Sequence, residues 1–168
     1  MKSYPFPIHI GELTHTPVGD LRLAASDQGL VAVEWVRSQM DFDSYLLSSD
    51  MESIAPYADQ LREYFEGERR EFTFSIDWSI FRPFQKDALQ HVFQIPYGET
   101  RTYADIALEI DRPHAYRAVG RANATNPMPI VIPCHRLLGR DGKLHGYGGG
   151  EGLKTKEWLL KMERAVIA

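Results

Sequence analysis

Apolar and polar positions alternate with a strand-like period through much of the first half of the chain and follow a helical period through most of the second. Residues 8–10, 21–25 and 30–36 have strand-like lengths. Two turns separate them, Pro17-Val18-Gly19-Asp20 and Asp27-Gln28-Gly29. Gly29 closes the second turn, where a positive φ is often needed. Strands joined in this way predict a small, mostly antiparallel sheet. Residues 54–65 carry apolar side chains near helical spacing and stop at Gly67, a residue suited to a left-handed cap. Residues 72–76 alternate again and read as a further strand, whereas residues 38–50 are polar without a clear period. The first half therefore reads as a sheet with a helix packed on it.

The pattern changes near residues 77–79. Phe84, Leu89, Val92 and Phe93 mark one helix, stopped by Pro96-Tyr97-Gly98. Thr102 is placed to cap a second helix over 103–110. A short link, Asp111-Arg112-Pro113-His114, leads to a third over 115–124, and the pair has the outline of a helix-turn-helix. Asn126-Pro127-Met128-Pro129 ends that helix. The apolar run Ile130-Val131-Ile132 then delivers Pro133-Cys134-His135-Arg136. A glycine-rich loop over 139–152 precedes a last helix over 153–164. The expected organisation is α+β, with an N-terminal domain over 1–79 and a mostly helical C-terminal domain over 80–168.

Composition changes this picture little. The chain has 168 residues, 43% hydrophobic and 25% charged, as ordinary globular proteins do, which excludes collagen-like, low-complexity and largely disordered classes. No apolar run is long enough to span a bilayer, and no apolar signal segment follows Lys2, so neither a membrane partner nor secretion is expected. Cys134 is the only cysteine, which excludes an intramolecular disulfide and a cysteine-rich zinc site; no metal and no cofactor are expected.

Charge is more informative. Residues 1–80 hold 6 basic and 14 acidic side chains, a net of −8, and residues 81–168 hold 13 and 9, a net of +4. Between 112 and 143 stand Arg112, Arg117, Arg121, Arg136, Arg140 and Lys143 against a single acid, Asp141. The chain is acidic overall, yet its second half is able to present a basic face to nucleic acid or simply a solvated surface.

Cys134-His135 is the candidate reactive pair. A lone cysteine is most often a small buried hydrophobe. Here Pro133 sets the backbone before the thiol, and His135 and Arg136 bring cationic character that favours thiolate, the nucleophilic form. Glu163 on the last helix is either an orienter for His135 or an exposed helix-end carboxylate. The third helix is rich in small side chains, Ala115, Ala118, Gly120, Ala122 and Ala124, with Arg117 and Arg121 among them. Small residues permit close helix packing, and they also permit entry into a minor groove only about 6 Å wide.

Ile132-Pro133-Cys134-His135-Arg136-Leu137 resembles the active-site signature of the O6-alkylguanine-DNA alkyltransferases. Pro96-Tyr97-Gly98-Glu99, Thr102-Tyr103-Ala104-Asp105, Arg117-Ala118-Val119-Gly120, Asn126-Pro127, Gly146-Tyr147-Gly148-Gly149 and Lys156-Glu157-Trp158 recur in the family's order, so the likeness covers about 80–164. The N-terminal half is similar more weakly, chiefly in Thr16-Pro17-Val18-Gly19 and Gly29-Leu30-Val31. The resemblance implies a ribonuclease H-like sheet-plus-helix domain followed by a winged helix-turn-helix-like catalytic domain. It also implies single-turnover repair, in which O6-alkylguanine, and O4-alkylthymine with it, is flipped through the minor groove of double-stranded DNA and loses its alkyl group to cysteine.

By position, Cys134 resembles the acceptor, His135 its base acting through a water, Glu163 the orienter, and Asn126 the residue that ties the turn before the active-site strand. Tyr103 resembles the tyrosine that meets the target phosphate and donates to the base. Arg117 resembles the arginine that replaces the flipped nucleotide, and Tyr147 the wall of the alkyl pocket. Arg136, Ala118 and Ala122 join the DNA- or substrate-binding set. A monomer in the cytoplasm, or in the nucleus of a eukaryote, is expected.

Leu137 departs from the family's usual Val or Ile, the loop between Tyr147 and Lys156 is long and glycine-rich, and His145 has no evident task. Nothing resembles the extra metal domain of the adaptive-response members. Two other readings compete: a thiol hydrolase or amidase using Cys134 and His135, and a helix-turn-helix damage sensor without chemistry.

Overall fold

The computed structural model describes residues 4–36 and 50–165. The chain forms two compact units, Met1–Ile80 and Phe81–Ala168. Most of the polar stretch over 38–50 lies outside the described residues.

The first unit holds an antiparallel sheet of β1 (His9–Leu13), β2 (Leu21–Ser26) and β3 (Gly29–Trp35), in the order β1-β2-β3. Central β2 is buried along its whole length, so its residues do not alternate between core and solvent. Register explains why. Ile10, Ala24 and Ala32 align on one face, and Tyr4, Phe6, Ile8 and Ile80 cover it. Gly11, Leu23 and Val33 align on the other, where Ile54 of helix α1 (Met51–Phe65) sits so close that a Cβ on Gly11 would lie 3.0 Å from it. Arg22 is tolerated in buried β2 because its guanidinium meets Glu12, directly opposite on β1, at 3.2 Å.

Helix α1 begins three residues earlier than the apolar spacing indicated. Asp50 caps it by accepting the Ser53 amide at 3.0 Å. Gly67 follows its end with φ +78, in keeping with its expected role. Gly29 has φ +143, and an added Cβ there would strike the Ser75 carbonyl at 2.5 Å. Both the sign of φ and the close approach require glycine at this position.

Residues 72–76 do not form the expected strand. They touch β3 through one isolated bridge, Leu30 to Ile76. Their alternation serves α1 instead: Phe74 packs on Tyr57 and Phe72 on Tyr64, while Thr73 exchanges two hydrogen bonds of 2.9 Å with the Gln60 amide. Side chains satisfy this segment where a ladder was anticipated.

The second unit contains α2 (Pro83–Phe93), β4 (Arg101–Thr102), α3 (Tyr103–Glu109), α4 (Tyr116–Ala124), β5 (Leu137–Leu138) and α5 (Leu153–Met162). Thr102 caps α3 through a reciprocal pair: its hydroxyl accepts the Asp105 amide and its own amide donates to the Asp105 carboxylate. Leu89, Ile106, Val119, Met128, Ile132 and Leu159, one or more from each of α2 to α5 and the turns before the cysteine, are all fully buried. No helix among the described residues is long and apolar enough to cross a membrane.

His9 on β1 hydrogen-bonds Asp50 at 2.8 Å and Asp27 at 3.4 Å, and these two contacts raise its pKa. A raised histidine contributes stability that is full below its unfolded value of about 6.5 and lost as pH climbs through the raised value. The melting temperature of the wild type is therefore expected to exceed that of His9→Ala at about pH 5.5, with the gap narrowing by about pH 8. Differential scanning fluorimetry across that range checks this, and a gap independent of pH would contradict it.

Candidate active site

The route to the thiol is a series of turns. After α4 the Asn126 side chain donates to the Ile132 carbonyl at 3.0 Å and accepts the Met128 amide at 2.9 Å. That brace encloses Ile130, a β-branched residue held at φ +76, where branched side chains are rarely found. The apolar run 130–132 is thus fully buried, as its composition indicated, but it is not a strand. A single 3-10 turn over Cys134–Arg136 comes next, and then β5, which pairs in parallel with β4. Because β4 leads directly into Tyr103, this short ladder ties the start of α3 to the cysteine turn.

Cys134 is 8% exposed and His135 is fully buried. Glu163 caps the end of α5 and is 3% exposed, so it is not a solvated helix-end carboxylate. Its Oε1 accepts His135 Nε2–H at 2.8 Å and Arg136 Nη2–H at 3.0 Å; its Oε2 accepts Arg136 Nε–H at 2.9 Å. Arg136 also donates to the Ile95 carbonyl, and Gly98 N–H approaches Glu163 Oε2 at 3.5 Å. Gly98 has φ +79, and a Cβ there would lie 2.9 Å from the Glu163 carbonyl. The turn at Pro96–Gly98 therefore closes over this cluster.

Arg136 differs from its expected place among the DNA-contacting residues. It is buried, and its fork grips Glu163 in the bidentate geometry that guanidinium and carboxylate share. It holds the carboxylate that holds the histidine.

Protonation is set by burial and partners. Burial alone would raise the Glu163 carboxyl, but the His135 hydrogen bond and the Arg136 guanidinium hold it far below the ordinary range. Burial pushes His135 down, and this outweighs the pull of Glu163, so the imidazole is neutral near pH 7. A carboxylate only accepts, so the proton sits on Nε2. Nδ1 is left as a buried lone pair with no hydrogen-bond partner among the described residues.

The cation that favours the thiolate was missed in the sequence. His135 is neutral and Arg136 is matched by Glu163, so neither supplies the positive charge expected from their adjacency. Lys156 does. It is fully buried, donates to the Leu137 carbonyl at 2.6 Å and the His145 carbonyl at 3.0 Å, and burial brings its pKa down to about 8. Burial likewise pushes the Cys134 thiol up, while the Asn126 side chain and the Lys156 ammonium pull it back. A signal was present in the sequence. Lys156 and Glu163 are seven residues apart and share a helix stripe with Leu159 and Leu160, where solvated charges do not belong.

Tyr103 and Tyr147 also face this centre. Burial and a charge at Cys134 raise both phenols, Tyr147 strongly. Tyr103 Oη donates to the His145 carbonyl at 3.5 Å, so Tyr103 and Lys156 share that acceptor. Helix α4 exposes Arg117, Ala118, Arg121 and Ala124. Ala122 points inward and is buried, with its carbonyl taken by Gln85, so within the small-residue set it serves packing. No group of three or more His, Cys, Asp or Glu side chains among the described residues is arranged to hold a metal.

The chain matches two family models: the 6-O-methylguanine DNA methyltransferase ribonuclease-like domain over residues 10–78, and the DNA-binding domain of the same name over residues 83–165. It is 39% identical over 156 residues to a methylated-DNA–protein-cysteine methyltransferase of Methanosarcina barkeri, covering 90% of this chain and 95% of that one. It is 41% identical over 131 residues to the inducible enzyme of that name from Bacillus subtilis, covering 78% and 70%. Among solved structures, O6-methylguanine methyltransferase of Mycobacterium tuberculosis superposes with a TM-score of 0.80 at 38% identity, covering 94% and 93%. The Mycobacterium tuberculosis OGT structure in complex with DNA gives the same score and identity, covering 93% and 92%.

Removing one member of a buried charge cluster strands the others. Glu163→Ala is expected to destabilise the protein by about 3–5 kcal/mol, with Arg136→Ala comparable. The double variant should cost less than the sum of the two. Urea unfolding of the three variants tests this; strict additivity would mean that the two side chains act independently.

Proposed function

The chain belongs to the 6-O-methylguanine DNA methyltransferase family, and on that premise we propose that it repairs alkylated DNA by direct reversal, moving the alkyl group from O6 of guanine to Cys134. The observation that carries this reading is the enclosed Cys134–His135–Glu163 array, in which a neutral imidazole is fixed with Nδ1 free to accept a proton.

The chemistry runs as a single displacement. The Cys134 thiol gives its proton to His135 Nδ1 through a water. The imidazolium that forms is stabilised by Glu163, which Arg136 keeps in place. Lys156 favours the thiolate against burial. Sulfur attacks the alkyl carbon, the carbon–oxygen bond breaks, and its electron pair passes to the guanine. The base regains its ring N–H with a proton from a donor such as the Tyr103 hydroxyl, which meets the developing charge, and the proton held by His135 returns through water to restore the phenol. The product is a thioether with no second nucleophile to release it, so each molecule acts once.

In the same proposal, the lesion in double-stranded DNA is flipped through the minor groove at a cost of a few kcal/mol, less for a poorly paired base. Arg117 and Ala118 on the outer face of α4 support this, with Arg117 filling the gap left in the stack. Tyr147 walls the alkyl pocket, and O4-alkylthymine is a second substrate. The α3–α4 pair and the β4–β5 ladder support a winged helix-turn-helix arrangement over 80–168, with a ribonuclease H-like domain over 1–79. A cytoplasmic monomer completes the reading.

A thiol hydrolase would need a water to release its product and has no use for exposed arginine on α4. A damage sensor has no use for the buried proton relay. Single-turnover transfer of a labelled methyl group from O6-methylguanine duplex DNA to the protein tests the proposal. Cys134→Ala is expected to abolish transfer. Lys156→Met should slow it about tenfold or more by removing the charge that favours thiolate. Arg117→Ala should slow transfer from duplex DNA about tenfold while sparing transfer from the free alkylated base. Persistent transfer by Cys134→Ala would overturn the assignment of the acceptor.

A further inference from the structure

Two arginines from different elements converge on one exposed ring. Tyr116, the first residue of α4, is 39% exposed. The Arg117 guanidinium lies 5.8 Å from its ring centroid, and that of Arg140, from the turn after β5, lies 5.7 Å away. Both distances fall within the range where a cation is drawn to an aromatic face. The turn that carries Arg140 is tightly closed. Gly139 N–H donates to the Lys143 carbonyl and Gly142 N–H to the Gly139 carbonyl, each at 3.0 Å, and Gly142 sits at φ +71. Asp141, the acid at its tip, accepts the Lys143 amide at 3.1 Å and His145 Nε2–H at 3.0 Å. Both of these contacts lie within the loop. Among the described residues neither Arg117 nor Arg140 has a carboxylate within ion-pair distance. Two guanidiniums without a carboxylate partner meet on one outward ring; with Arg117 directed into the base stack, Arg140 beside it is left to meet the phosphates of the backbone.

We propose that Arg140 is a second DNA-contacting arginine of this protein, and that Tyr116 is a positioning residue that presents Arg140 and Arg117 on the same face. This rests on the repair reading and assigns its DNA contact to named residues. The ring face does the holding, so Tyr116→Phe retains the function and Tyr116→Ala loses it.

Binding of the whole chain to a short lesion-free duplex, measured by fluorescence anisotropy over a salt series, tests this. Arg140→Ala is expected to weaken binding about fivefold to tenfold and to lower the slope of log affinity against log salt by about one, as loss of one phosphate contact does. Tyr116→Ala is expected to weaken binding at least about threefold, and Tyr116→Phe to stay within about twofold of the wild type. An unchanged salt slope in Arg140→Ala overturns the proposal, as does Tyr116→Phe binding as weakly as Tyr116→Ala. Methyl transfer by the wild type, measured in parallel, separates the two readings. A wild type that binds as described yet transfers nothing sinks the repair reading alone; one that transfers while Arg140→Ala keeps its slope sinks this proposal alone.

Discussion

A buried carboxylate carries the architecture of the site. Glu163 is almost without solvent, and an isolated charge there would be prohibitively costly. Arg136 neutralises it in bidentate geometry, His135 takes the remaining reach of Oε1, and the turn at Gly98 closes over it. The last helix, the cysteine turn and the segment after α2 are thereby fixed to one another. The same bond that stabilises the unit dictates which imidazole nitrogen bears the proton. Fold and chemistry share one constraint, so weakening the cluster for either purpose damages both.

The resting thiol is not activated in the simple sense of a surface cysteine beside a cation. Burial raises its pKa, and the buried Lys156 offsets part of that cost. Such a thiol is protected from adventitious electrophiles in solution. His135, next in sequence, is held neutral with Nδ1 able to accept a proton. The packing of the site also governs the fate of the alkylated protein. An alkyl group added in a close-packed interior forces strain of about 1–3 kcal/mol, so the spent protein is less stable than the fresh one.

Much of this was legible in the sequence. The three-stranded sheet, the Thr102 cap and the Gly67 stop of the first helix could be read from periodicity and turn chemistry, because those signals are local. Cys134, His135 and Glu163 were legible through the family signature, and the geometry joins His135 to Glu163. Long-range chemistry was harder to read. Residues 72–76 alternate like a strand, yet aromatic packing on Tyr57 and Tyr64 replaced the ladder, and nothing local distinguishes the two uses of alternation. Arg136 looked like a DNA contact because it sits in a basic segment, whereas its partner lies 27 positions away. Lys156 escaped notice because lysine is expected at the surface; only its place on the apolar stripe of α5 gave it away.

The most direct test of the account is intact mass spectrometry of the protein titrated against an oligonucleotide duplex carrying one O6-methylguanine. Each molecule is expected to gain a single methyl group, repair to stop at one equivalent of lesion, and peptide mapping to place the adduct on Cys134. Repair of many equivalents by unmodified protein, or unmodified protein beside intact lesion, would contradict it.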